Sequence, residues 1–221
     1  MQIKKVATNI FSQYRKVLTA RDRFYIKARY KLCPYCELLD SYIPTKGRII
    51  DWGCGFGFFS FLLKYSQPER EMFCIEIDTR KIKAIHDVQN IIQKRININH
   101  LNNAYFEPHS INSILLLEVS YYLSDETFVE LLQYFKDLLN DNSNIVIISI
   151  IKDKLIWKNI AIYMQEFISV KILKQTKAET LKIRTNEENV NIFNITDYHI
   201  SYSKKINSFL PYTHMLYILK R

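Results

Sequence analysis

At 221 residues, with 48% apolar and 24% charged side chains, the chain has ordinary globular composition, which excludes disorder and fits one domain with a substantial core. No apolar run reaches the roughly 18–20 residues that span a bilayer, and the N-terminal MQIKKVATNIFSQYRKV lacks the apolar core of a signal peptide, so a cytoplasmic location is expected. The formal net charge of +9 is lopsided: up to Lys31, nine basic residues face one acid, Asp22, so this segment holds +8 and the remainder is near neutral.

In the basic N-terminal arm, residues 1–46, Val6, Ile10, Tyr14, Val17 and Leu18 recur at helical spacing, as do Phe24, Tyr25, Ala28 and Leu32. Thr19 with Asp22 three residues on reads as a capped restart, so two short helices are predicted. Pro34 suits the first turn of a third, PYCELLDSYI, ending before Pro44. From Arg48 strands and helices alternate. RIIDW is a short strand, FGFFSFLLKYS a helix, EMFCIEID a second strand and TRKIKAIHDVQNIIQKR an amphipathic helix. ININHL is a weak third strand, SINSILLLEV a strong fourth, and SDETFVELLQYFKDLLN a helix capped by Ser124. SNIVIISII is the fifth strand, LIWKNIAIYMQEFISVKIL a long helix and TNEENVNIF a short one. Two last strands lie near YHISYSKKI and HMLYILKR.

Repeated βα units imply a parallel sheet covered on both faces with right-handed crossovers. Only NSFLPYT joins the last two strands, which makes them an antiparallel pair. The expected fold class is therefore α/β: a doubly wound, mostly parallel seven-stranded sheet with an antiparallel last strand over residues 47–221, plus a helical lid from residues 1–46.

Four cysteines are present: Cys33, Cys36, Cys54 and Cys74. CPYC has metal-ligand or redox spacing, but no second CxxC or histidine cluster completes a zinc site, so buried thiols and no metal are expected.

All four glycines of the chain fall in GRIIDWGCGFGFFSFLL, and Gly53, Gly55 and Gly57 alternate within five residues. Glycines kept there point to backbone with positive φ or very close approach to a ligand. A glycine turn that follows the first strand of an open α/β sheet and opens a helix is a nucleotide-cofactor position. The nicotinamide fingerprint GxGxxG is not matched, because the spacing here is GxGxG and an acid, Asp51, precedes it. A carboxylate at that point opposes a pyrophosphate and favours a cation. One helix later the second strand ends in Glu76 and Asp78, where a carboxylate can accept from both hydroxyls of an unphosphorylated ribose.

IIDWGCGFGFFSFLL…FCIEIDTRKI resembles the class I, Rossmann-like S-adenosylmethionine-dependent methyltransferases, from about Arg48 to Ile151 and more loosely through the final hairpin. The resemblance implies S-adenosylmethionine as cofactor. By position, Asp51 would contact its methionine end and the backbone at Gly53, Cys54, Gly55 and Gly57 would pass beneath it. Glu76 rather than Asp78 would grip the ribose, Ile77 and Asn103 would meet the adenine, and Glu118 would lie near the methionyl group. The sequence departs from the family at Asn112, a frequent Asp position, and at NDNSN, where a Pro-Gly-Gly turn is usual.

Methyl transfer needs an acceptor held in line with the methyl group, and a base only if the acceptor must lose a proton. His214 starts the antiparallel last strand, is expected at the active-site rim and is the best candidate for that base. Tyr121 and Tyr122 would line the acceptor pocket. His86, His100, His109 and His199 receive no role. EVSY stands where amine-methylating relatives carry Asn-Pro-Pro-Tyr, which argues against that route for adenine or glutamine. The expected acceptor is a small, lipid-pathway or carrier-linked molecule. The arm points to an acidic partner of residues 1–31: nucleic acid, an anionic membrane surface or an acidic carrier protein. The alternatives are an RNA methyltransferase, and a non-catalytic binding protein on the same fold recruited through the arm.

Overall fold

A computed structural model describes residues 2–32, 36–92, 95–153, 155–167, 180–207 and 213–221, and the statements below concern these. Two helices, α1 (Gln2–Val17) and α2 (Ala20–Leu32), precede a single helical turn, α3 (Cys36–Leu39). The alternating part then runs β1 (Gly47–Trp52), α4 (Phe58–Ser66), β2 (Arg70–Glu76), α5 (Thr79–Ile92), β3 (Asn97–His100), β4 (Ile111–Leu117), α6 (Asp125–Leu138) and β5 (Leu139–Ile151). It closes with α7 (Ile156–Phe167), α8 (Asn186–Ile195), β6 (His199–Asn207) and β7 (Thr213–Lys220). Short 3-10 turns lie at Leu101–Asn103 and Ser120–Tyr122.

The described strands form one seven-stranded sheet in the order β3-β2-β1-β4-β5-β7-β6. The pairs from β3 through β5 are parallel, and β7 runs antiparallel to both β5 and β6, so β7 alone is reversed. Strand order reverses between β1 and β4, which opens a crevice at the carboxyl ends of those two strands.

The central strands read as continuous apolar runs because both of their faces are covered. Along β1, Ile49 faces the layer made by α1, α4 and α5, and Ile50 faces α6 and α8. The same alternation sends Val146 and Ile148 of β5 one way and Ile145 and Ile147 the other. The caps follow from the sequence. Ser124 Oγ accepts from Thr127 N–H at the start of α6, and Thr185 with Glu188 forms a reciprocal capping box on α8.

The N-terminal helices join this core. Ala7, Ile10 and Tyr14 belong to the same apolar cluster as Phe61 and Ile85, Phe11 stacks on Phe58 at 4.5 Å, and the Tyr14 hydroxyl donates to Phe56 O at 2.6 Å. The fully buried Arg70 fixes the entry to β1: its guanidinium donates to Pro44 O at 2.7 Å and Ile43 O at 3.0 Å and pairs with Asp40 at 2.5 Å. The helix expected over PYCELLDSYI is thereby cut short, with a turn at residues 40–42. Cys33, the Cys36 side chain, residues 168–179 of the long helix expected after β5, and most of the NSFLPYT connection lie outside the described residues. Among the described residues no helix is long and apolar enough to cross a membrane.

Candidate active site

The site is built at the strand-order reversal by the turn that follows β1. The amides of Gly53 and Cys54 both donate to Ile75 O, at 2.8 and 3.1 Å, and pin the turn across the end of β2. Gly53 has φ +75°, and a Cβ there would lie 2.6 Å from Val119 Cγ2, so close approach of the β1 and β4 ends requires glycine. Gly55 also has positive φ, +60°, but a Cβ on it would meet open space, because this residue faces a cavity.

Glu76, the last residue of β2, closes the turn from below. Its Oε2 accepts from Gly55 N–H at 2.8 Å, and its Oε1 accepts from the amides of Ile77 and Asp78 at 2.8 and 3.0 Å. Lys81 Nζ stands 3.9 Å away. Three amide donors leave lone-pair capacity on a carboxylate, which has about four acceptor sites. Asp51, buried near the end of β1, accepts from the Ser60 hydroxyl. Burial pushes its carboxyl up to about 6; the Ser60 hydrogen bond opposes that, and the neighbouring Glu76 carboxylate adds to it.

The opposite wall centres on Glu118, just past β4. This residue holds a left-handed φ of 59°, uncommon without glycine, and its N–H donates to Ile148 O at 2.7 Å. Its carboxylate is 5% exposed and gathers three groups: Arg29 Nη2 at 2.8 Å, His214 Nε2 at 3.3 Å and the Tyr121 hydroxyl at 3.5 Å. Arg29 comes from α2. Asp22, Tyr25, Ile26 and Arg29 are spaced i, i+3, i+4, i+7, so they share the helix face that turns towards the protein. Tyr25, Ile26 and Arg29 line the cavity, and Asp22 pairs with Arg80 of α5 at 2.9 Å.

The cavity so enclosed has a volume of about 640 Å³, within the range of small-molecule sites. Its walls are apolar at Trp52, Phe56, Phe59, Leu117 and Val119, with carboxylates from Asp51, Glu76 and Glu118 and cations from Arg29 and Lys81.

Of the residues singled out from the sequence, Asp51, Gly53, Cys54, Gly55, Glu76, Ile77, Glu118 and Tyr122 line this cavity together. Others do not. Gly57 caps α4 with φ +71° and packs towards Ile85. Asn103 is exposed on its 3-10 turn, and Leu101 takes the place at the wall. His214 is 1% exposed rather than at the rim, because β7 is an interior strand that pairs it with Ile150 on one side and Ile206 on the other. Tyr121 is likewise buried, against Ile150, Ile162 and Ile183. Arg29, Tyr25, Ile26, Lys81 and Ser60 are additions that sequence reasoning passed over. The helical spacing from Asp22 to Arg29 was the available signal.

No family model matches the chain, and no curated protein matches it. Solved structures do. Geranyl diphosphate C-methyltransferase from Streptomyces coelicolor A3(2), in complex with Mg²⁺, geranyl diphosphate and S-adenosyl-L-homocysteine, superposes with a TM-score of 0.67 at 9% identity over 91% of this chain and 84% of that one. A SAM-dependent methyltransferase from Aquifex aeolicus gives 0.62 at 14% identity over 96% and 98%. One from Leishmania major gives 0.63 at 14% identity over 97% and 82%. The fold is that of the class I methyltransferases. In this class I sheet the cavity lies at the β1–β4 reversal, bounded by the β1 turn and the acid ending β2.

Proposed function

We propose that the chain is a methyltransferase that binds S-adenosylmethionine in the cavity between the glycine turn and α2 and methylates a small, lipid-pathway or carrier-linked acceptor. The observation that carries the reading is the pairing of Glu76 with the Gly55 amide. It fixes a carboxylate with spare acceptor capacity beside the one glycine of the turn that faces open space. The other residues fit the cofactor too. Glu76 would hold the ribose hydroxyls, Ile77 and Leu101 would flank the base, and Asp51 and Glu118 would face the positively charged amino-acid end. Arg29 would meet its carboxylate, exchanging one carboxylate partner for another.

Bound there, S-adenosylmethionine supplies a methyl group carried on a positively charged sulfur. The chain's own part is to orient and to exclude water. Tyr25 and Ile26 cover the cavity from α2, and Trp52, Phe59 and Tyr122 give an acceptor apolar walls. Glu118 is the group an acceptor proton would reach; His214, behind it, contacts Glu118 at 3.3 Å and is a positioning residue. The geranyl diphosphate methyltransferases among the structural neighbours act on a small apolar-tailed substrate, which supports the same acceptor class here. An RNA acceptor has less support, since the near-neutral charge after Lys31 provides no basic track towards the cavity.

Trp52 on the wall provides a test. In a Trp157→Phe background it is the one tryptophan, because the chain has two. Titration with S-adenosylhomocysteine should change its fluorescence saturably at micromolar concentration. A flat titration would sink the reading.

A further inference from the structure

The helix that closes the cavity has a second, opposite face. Arg21, Phe24, Lys27 and Lys31 of α2 are exposed, and Phe24 stands 75% exposed between Arg21 and Lys27. Arg15 and Lys16, in the last turn of α1 just before α2, are exposed as well. There Arg23 of α2 donates to Arg15 O and Leu18 O, at 3.2 and 3.0 Å, and locks the two helices together. The segment up to Lys31 contains one acid, Asp22, and that acid is buried and paired with Arg80. Helices α1 and α2 therefore place only cations among the charged groups of their outward face, with the large apolar side chain of Phe24 between them.

We propose that this face of α1 and α2 is a docking surface for an anionic lipid bilayer. Charge complementarity selects an anionic partner, and Phe24 selects among them. A lone phenylalanine flanked by cations on a convex helix surface suits the headgroup–acyl boundary, where the ring enters and the lysine ammonium groups remain among phosphates. Single-stranded nucleic acid is held instead by a basic groove with successive stacking rings, and the near-neutral remainder of the chain continues no such track. Docking does not depend on methyl transfer. It does set the cavity's cover against the bilayer, because Phe24 and Lys27 lie on the same helix as Tyr25 and Arg29.

The test is co-sedimentation of the full chain with phosphatidylcholine vesicles, with and without phosphatidylserine, over a salt series. Binding is expected on the anionic vesicles only, falling as salt rises. Lys27→Ala and Lys31→Ala should each weaken partitioning about fivefold, the ratio that corresponds to ~1 kcal/mol per basic residue at such a surface. Phe24→Ala should weaken it severalfold at unchanged charge. None of these residues lines the cavity, so unchanged S-adenosylhomocysteine affinity and circular dichroism certify the variants as folded. Equal binding to neutral vesicles, absence of binding at low salt, or indifference to Phe24→Ala would overturn the proposal. So would tight binding to single-stranded RNA without vesicle binding, which would assign the face to nucleic acid.

Discussion

Asp51→Asn separates what the site needs from what the fold prefers. The Asp51 carboxyl is raised from 3.8 to about 6, chiefly by burial. A carboxyl raised in the folded state favours folding while protonated, and that contribution is lost as pH climbs from about 4 through about 6. The difference corresponds to roughly 3 kcal/mol, at 1.36 kcal/mol per tenfold change in proton affinity. Asparagine avoids ionisation and keeps an oxygen for the Ser60 hydroxyl; the charge-assisted character of that bond is already counted, because the carboxyl reaches about 6 with the Ser60 hydrogen bond in place. Asp51→Asn should therefore be roughly 3 kcal/mol more stable than wild type at pH 8, with little of that advantage near pH 4. Urea denaturation of both proteins across this range isolates the effect, because titrating groups away from Asp51 cancel in the difference. A stability difference that stays flat with pH would refute the reasoning.

Three further substitutions probe the cavity walls. Gly53→Ala should cost more than about 2 kcal/mol in chemical denaturation, the left-handed strain of about 1–2 kcal/mol being compounded by the 2.6 Å approach to Val119; Val119→Ala should relieve part of this. Gly55→Ala should cost only the strain, about 1 kcal/mol, yet weaken S-adenosylhomocysteine binding at least as much as Gly53→Ala, because its methyl enters the cavity. Arg29→Ala should destabilise the protein by about 1–3 kcal/mol, since the buried Glu118 carboxylate loses its guanidinium. It should also lower cofactor affinity, with Arg29→Lys recovering part of both. Unchanged denaturation and binding would remove Arg29 from the site.

The fold was legible because its signals are redundant. Each central strand is apolar on both faces, each helix has its own period, and three of the four glycines gather at the one turn where strand order reverses. Asp51 and Glu76 could be read from their distance to that turn. Arg29 was marked only by its helical spacing from Asp22, because by charge it looks like any of the nine basic residues up to Lys31 until α2 is docked and one face becomes interior. His214 was misplaced for a related reason: the sequence shows that β7 starts there, but only pairing on both sides shows that β7 is interior. Asn103 lies exposed off the cavity wall, because a four-residue β3 leaves the following turn poorly anchored in sequence and Leu101 reaches the wall first. The left-handed backbone of Glu118 carries no sequence mark at all, since no glycine stands there to signal it.

The central claim is that Glu76 holds the ribose of an adenosyl cofactor, and calorimetric titration with S-adenosylhomocysteine tests it most directly. Micromolar binding to the wild type is expected, weakened by about 1–3 kcal/mol in Glu76→Ala through lost hydrogen bonds to a charged acceptor, with Glu76→Gln in between. Wild-type protein that takes up no S-adenosylhomocysteine, or a Glu76→Ala variant that binds it as tightly, would contradict the account.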